Sequence, residues 1–166
     1  LKLRVNAAKS KVVPASECEF LGFSFTQGPA RKRCIGPKAL CRVKERIREL
    51  TRRTRGASIQ HVVADLARYL KGWLAYFGFG EARRPMEDLD SWIRRRLRCL
   101  IWKQWKVFRR RRRGLMERGI EEAPASQTAA RSRGCWSTSN VPSLRWAFPI
   151  AYFDSLGLPR LLGQRA

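Results

Sequence analysis

Apolar residues change period along the chain, and the changes mark its elements. Over the first 27 residues Leu3 and Val5 alternate with Lys2, Arg4 and Asn6, and an aromatic run follows, Phe20-Leu21-Gly22-Phe23-Ser24-Phe25. Period-two alternation of this kind predicts two or three short strands. A hairpin this small is marginal alone and needs a sheet or helix to pack against.

From Pro37 the spacing becomes helical, with Leu40, Val43, Ile47 and Leu50 at steps of three and four behind a first-turn proline. The outward positions of that helix carry Arg42, Glu45, Arg48, Glu49, Arg52 and Arg53, and Gly56 closes the segment. Ser58 suits the N-cap of a second helix, whose stripe is Ile59, Val62, Val63, Leu66, Leu70, Trp73, Leu74 and Phe77. His61 lies off the centre of that stripe and has no nucleophile or carboxylate motif, so it reads as structural or surface. A third helix is expected from Pro85, with Met86, Leu89, Ile93, Leu97, Leu100 and Ile101 inward. Its other side is expected to show Arg94, Arg95, Arg98, Lys103 and Lys106, interleaved with Trp92, Trp102 and Trp105. Residues 121–140 are small, polar and Gly-containing, which reads as a linker. After it Pro142, Leu144, Trp146, Ile150, Tyr152 and Phe153 predict a short helical tail that docks on the rest. The fold class is therefore mainly α with a small N-terminal β element: antiparallel hairpin strands, a basic three-helix bundle and a helical tail.

Charge sharpens this picture because it is uneven. The 166 residues hold 36 Lys or Arg against 13 Asp or Glu, a net +23. Residues 92–118 alone hold 12 cations and one acid, Glu117, whereas 57–91 are nearly balanced. One segment builds core and its neighbours present charge, a distribution that points to a polyanionic partner. The run Arg109-Arg110-Arg111-Arg112-Arg113 goes round every side of a helix; beside the basic, aromatic face before it, nucleic acid is the expected contact. With 44% hydrophobic residues, six Trp and eight Phe, the chain has enough apolar surface to fold.

Other chemistries find little support. Five scattered cysteines with no C-x-x-C pair argue against zinc and for free thiols in a reducing cytoplasm. Asp65, Asp88, Asp90 and Asp154 form no paired metal motif, and neither a phosphate-binding Gly loop nor a nucleophile elbow is present. No apolar run reaches the length of a membrane span. The chain opens at Leu1, not Met, and is expected to be either a piece of something longer or the product of a truncated reading frame. On physical grounds alone it reads as a binding module.

Several long motifs in order carry a resemblance. Val5-Asn6-Ala7-Ala8-Lys9-Ser10-Lys11, Cys18-Glu19-Phe20-Leu21-Gly22-Phe23 and Ile35-Gly36-Pro37-Lys38 resemble the last conserved blocks of a group II intron reverse transcriptase and the start of its thumb. Tyr69-Leu70-Lys71-Gly72-Trp73 through Tyr76-Phe77-Gly78 resembles its maturase-specific region, domain X, as does Leu89-Asp90-Ser91-Trp92-Ile93-Arg94-Arg95-Arg96-Leu97-Arg98 followed by Trp102-Lys103-Gln104-Trp105-Lys106. Gly134-Cys135-Trp136-Ser137 and Tyr152-Phe153 through Leu156-Gly157-Leu158-Pro159 are similar to the C-terminal end of bacterial members without an endonuclease.

The resemblance implies a division into 1–34, a palm remnant; 35–118, thumb or domain X; and 119–166, a linker and a DNA-binding-like tail. It implies that Lys9 is the palm lysine, a general acid only in a full-length enzyme, and that Phe20, Leu21, Gly22 and Phe23 grip the primer. RNA contact falls to Lys38, Arg42, Arg46, Arg52 and Arg53, and chiefly to Arg94, Arg95, Arg98, Lys103, Lys106 and Arg109 to Arg113. The implied partners are group II intron RNA, a template-primer duplex, target DNA and the fingers and palm of the enzyme, in a bacterial cytoplasm and with no membrane. No cofactor is expected on this chain; Mg²⁺ is implied for the parent RNA-directed DNA polymerase and the intron. Because the Tyr-Ala-Asp-Asp motif is missing, no polymerisation is expected from the chain alone, and Phe23 and Phe25 are expected to lie open without the rest of the palm. A freestanding DNA-binding or ribosome-associated basic protein is the alternative, and a membrane-surface binder the more remote one.

Overall fold

A computed structural model of the chain describes residues 12–27, 29–81 and 83–162. After a single 3-10 turn at Ala15–Glu17, two three-residue strands, β1 (Phe23–Phe25) and β2 (Arg33–Ile35), pair antiparallel with Phe23 opposite Ile35. Their missing partner is supplied by a helix. Phe23 rests on Tyr76 and Phe77, with ring centroids 5.7 and 5.2 Å away, so it is half-buried where solvent exposure was expected. Phe25 does remain exposed.

Helix α1 (Pro37–Leu50) starts with proline in its first turn and buries Ala39, Val43 and Ile47, each one turn after the last. It stops at Thr51, five residues ahead of the glycine expected to end it: the Thr51 hydroxyl donates to the Ile47 carbonyl at 2.6 Å and occupies one of the last turn's open acceptors. Helix α2 (Ile59–Phe77) is capped by Ser58, whose hydroxyl accepts the His61 N–H at 3.2 Å. Val62, Val63, Leu66, Leu70 and Trp73 form its inner face, as the periodicity predicts, while His61 is exposed.

Helix α3 (Arg83–Gln104) is buried on two rows, not one. Met86, Leu89, Ile93, Leu97, Leu100 and Ile101 make the expected row, and Arg94, Arg98 and Trp102, each four residues after the last, make a second beside it. Trp102 and Trp105, expected on the basic face, are therefore core. Extended backbone at Val107 separates α3 from α4 (Phe108–Met116), so the chain breaks here without a proline. Gly114 lets α4 sit close: a Cβ there would lie 2.6 Å from the Trp105 ring.

The segment read as a linker is largely helical. Helix α5 (Glu122–Ala129) packs along α4 and buries Ala125, Thr128 and Ala129, the Thr128 hydroxyl donating to Ser143 at 3.0 Å, and α6 (Cys135–Thr138) packs on α3. Small residues permit close approach but leave no strong apolar stripe for sequence reasoning to detect. Helices α7 (Pro142–Ala147) and α8 (Ile150–Ser155) complete the tail. It docks as expected: Leu144, Phe148, Phe153, Leu158 and Leu161 join the same buried cluster as Ile47, Leu70 and Leu97. An aromatic chain, Trp102–Trp105–Phe148–Tyr152–Phe153, links α3 to α8 with centroid spacings of 5.1 to 6.2 Å. Burying each such ring is worth about 1.5–3 kcal/mol.

Candidate nucleic-acid interface

Helical phase sorts the arginines of α3 and α4 into two populations. Arg94 is 2% exposed and lies between two carboxylates: Asp90, one turn earlier on α3, and Asp154 on α8, 3.1 Å away. Arg160 also holds Asp154, at 2.6 Å. Burial raises the Asp154 carboxyl, but hydrogen bonds from Arg160 and Arg94, together with their charges, outweigh it and keep the pKa below the ordinary value. The two aspartates thus converge on a guanidinium and not on a metal position.

Arg98, also buried, donates from Nε to the Ser139 carbonyl at 3.0 Å. Its pKa is pulled down to about 10, by burial first and then by Arg145, Arg94 and Arg95; it is still charged at neutral pH. Arg95 is half-buried, donating to the Trp136 carbonyl at 3.0 Å with its guanidinium 4.0 Å above that indole. The expectation that Arg94 and Arg98 face RNA is corrected here, since the tail helices cover them and use them as anchors. Arg95 is partly engaged in the same way.

The arginine run is divided by the same logic. Arg111 turns inward, donating to the Trp105 carbonyl at 2.8 Å with its guanidinium 4.8 Å from the Trp102 ring. Arg112 reaches α5, bonding Ser126 at 3.1 Å and pairing with Glu122. Arg109, Arg110 and Arg113 remain exposed, as do Lys103 and Lys106 just before them. Among the described residues none of these five cations has a carboxylate partner. They follow one another along the chain across the α3–α4 break, a cationic strip of sequence.

A second cationic group lies on α1 and the turn that follows it. Lys38, Arg42, Arg46, Arg52 and Arg53 are all exposed; Arg46 pairs with Glu49 at 2.7 Å, and Lys38 approaches Glu19 at 4.0 Å. Lys38 and Arg42 line a cleft of about 460 Å³ with Leu21, Gly22, Tyr76 and Phe77, so the structure joins the expected primer-gripping turn to the head of α1. In that turn Phe20 and Phe23 exchange two backbone hydrogen bonds of 2.9 Å across Leu21 (φ 50°) and Gly22 (φ 81°). Positive φ at both central residues is the requirement of a tight hairpin turn, and it is strained for leucine. The Tyr76 hydroxyl donates to the Leu21 carbonyl at 3.0 Å and helps hold the turn, while the Phe20 and Leu21 side chains stay exposed. Lys9 and the motif around it lie outside the described residues.

Sequence reasoning missed two contributors. Arg96 and Trp136 meet beside α1, and only their rows on α3 and α6 bring them there. Among the described residues no group of three or more His, Cys, Asp or Glu side chains is placed to hold a metal ion, and no helix is long and apolar enough to cross a membrane.

No curated protein matches the chain. Residues 40–119, however, match the family described as group II intron, maturase-specific domain, and those bounds take in nearly all of α1 together with α2, α3 and α4. Residues 40–119, which carry Lys103 to Arg113 and most of the α1 group, are therefore similar to a group II intron maturase-specific domain, and the match supports the C-terminal part of a group II intron maturase, a protein of intron splicing.

Proposed function

We propose that the chain grips group II intron RNA through the strip Lys103, Lys106, Arg109, Arg110 and Arg113, with Lys38, Arg42, Arg52 and Arg53 as a second contact, and so supports intron folding and splicing. One observation carries this reading: the strip places five exposed cations, none with a carboxylate partner among the described residues, within residues 103–113, inside the match to a maturase-specific domain. Counterion release makes such a surface bind phosphate strongly at low salt, and Arg forks suit phosphate oxygens. As a thumb, the same body would hold a template-primer duplex for a reverse transcriptase whose fingers and palm complete the enzyme, with Phe20 to Phe23 against the primer end and Lys9 in the palm. In this reading the chain needs no cofactor of its own, and Mg²⁺ serves the RNA and the parent polymerase.

The test is affinity for a folded group II intron RNA, competed with unrelated structured RNA and with duplex DNA across a salt series at fixed Mg²⁺. A preference for the intron that persists as salt rises supports the reading. Equal affinity for all competitors, falling together with salt, would leave only phosphate attraction and overturn it.

A further inference from the structure

A separate cleft of about 230 Å³ lies where the end of α1, the middle of α3 and α6 meet, lined by Arg48, Thr51, Arg53, Trp92, Arg96, Cys99 and Trp136. Its chemistry is one-sided. Three guanidiniums line it and no carboxylate does, and among the described residues neither Arg48 nor Arg53 has an acidic partner.

Arg96 has a structural role that accounts for part of this charge. Its Nε donates to the Thr51 hydroxyl at 2.7 Å, and that hydroxyl is oriented because its own proton goes to Ile47. Thr51 is fully buried, so the Arg96 fork is fixed at the carbonyl end of α1, whose partial negative charge it offsets. Arg53 hydrogen-bonds the Cys99 thiol and Arg48 lies over Trp92, but among the described residues no acid offsets the charge of either. Burial depresses the Arg96 guanidinium first, and the nearby charge of Arg48 and then Arg53 depresses it further, a strain that an anion in the cleft would relieve.

The remaining walls are two indoles and the Cys99 thiol. The guanidinium carbons of Arg96 and Arg48 stand 5.1 and 5.6 Å from the Trp92 ring centroid, and Trp136, held by Arg95, keeps 39% of its surface open. A phosphate alone has no use for two indoles, and a duplex keeps its base faces stacked inside. An unpaired nucleotide offers both an anion and an open π face.

We infer that this cleft holds one unpaired nucleotide of the bound RNA, its phosphate against Arg48 and Arg53 and its base against Trp92 and Trp136. The inference rests on the RNA-binding reading above and adds a recognition element distinct from the α3–α4 strip.

The full chain would be titrated with a short single-stranded RNA containing one 2-aminopurine, and with a blunt RNA duplex of the same sequence. Wild type is expected to quench the 2-aminopurine. Trp136→Ala, which keeps the backbone carbonyl that Arg95 uses, is expected to lose the quench and to weaken single-strand binding about tenfold, with duplex affinity within about twofold. Arg53→Gln, an exposed change with an unaltered thermal transition, should weaken the single strand more than the duplex. Equal weakening of both RNA forms, or unaltered single-strand affinity in both variants, would overturn the site. So would displacement of the single strand by a polyglutamate peptide from wild type but not from Trp136→Ala, which would reassign the cleft to an acidic protein. Wild type binding neither of these RNA forms nor a folded group II intron RNA would overturn the RNA-binding reading itself, an outcome the variants are not needed to detect.

Discussion

Two successive turns of α3 and two of α4 are built from the same residue and do opposite things. On α3, Arg94 and Arg98 are removed from solvent and tied to Asp90, Asp154 and the Ser139 carbonyl, so their charge holds the tail in place. On α4, Arg109, Arg110 and Arg113 have no acidic partner among the described residues and face water. What separates them is the company brought by residues 40 to 60 positions later, not spacing or charge. A buried guanidinium between carboxylates is costly to desolvate and damaging to disrupt; an exposed one can be exchanged with little effect on the fold and acts on whatever anion approaches.

The largest expected effect breaks the first member of the comparison. Arg94→Ala leaves Asp90 without its cation and Asp154 with Arg160 alone, removes a fully buried charged anchor, and is expected to lower stability by about 3–5 kcal/mol, read by denaturant unfolding. A loss below about 1 kcal/mol would show that Arg94 is no anchor.

Replacing Arg109, Arg110 and Arg113 together by Gln should do the reverse. Unfolding should shift by no more than about 0.5 kcal/mol per site, while the plot of log affinity against log salt for RNA becomes shallower by about 2 to 3. An unchanged salt slope would place the RNA contact elsewhere.

Acid sharpens the comparison because only the anchored arginines depend on it. The folded pKa of Asp154 lies below its unfolded value, so its contribution is present above that unfolded value, near 3.8, and is lost as pH falls through the folded one. Tail docking, followed by near-ultraviolet signals of Tyr152 and the tryptophans, should therefore weaken below about pH 4 before helix content falls. Simultaneous loss of both signals would show that Asp154 does not hold the tail. The smallest effect belongs to Arg46→Ala, whose exposed pair with Glu49 should be worth below about 1 kcal/mol in the same unfolding measurement.

Most of the body was legible because a single stripe marks each helix that packs on one side. Ser58, Val62, Leu66, Leu70 and Trp73 announce α2, and Pro37, Val43 and Ile47 announce α1. The second buried row of α3 was hidden. Arg94 and Arg98 are polar, and what covers them is the tail, which no local period reports. Asp90 four residues ahead of Arg94 was the one local sign that this arginine has a partner. Helix α5 escaped for a different reason: it buries Ala125, Thr128 and Ala129, residues too small to stand out from a polar loop. The cationic strip was legible as composition, but its division into exposed and inward arginines needed the phase that the break at Val107 sets.

The pairing of Arg94 also bears on the order in which the chain acquires its structure during synthesis. Asp154 is made 60 residues after Arg94, which at ribosomal rates is roughly 3 to 12 s later. Asp90, on the same helix, is already present. It serves as a resident counter-ion while the tail is still being made, so α3 can collapse onto α1 and α2 with its charge half neutralised, and the arrival of Asp154 completes the pair.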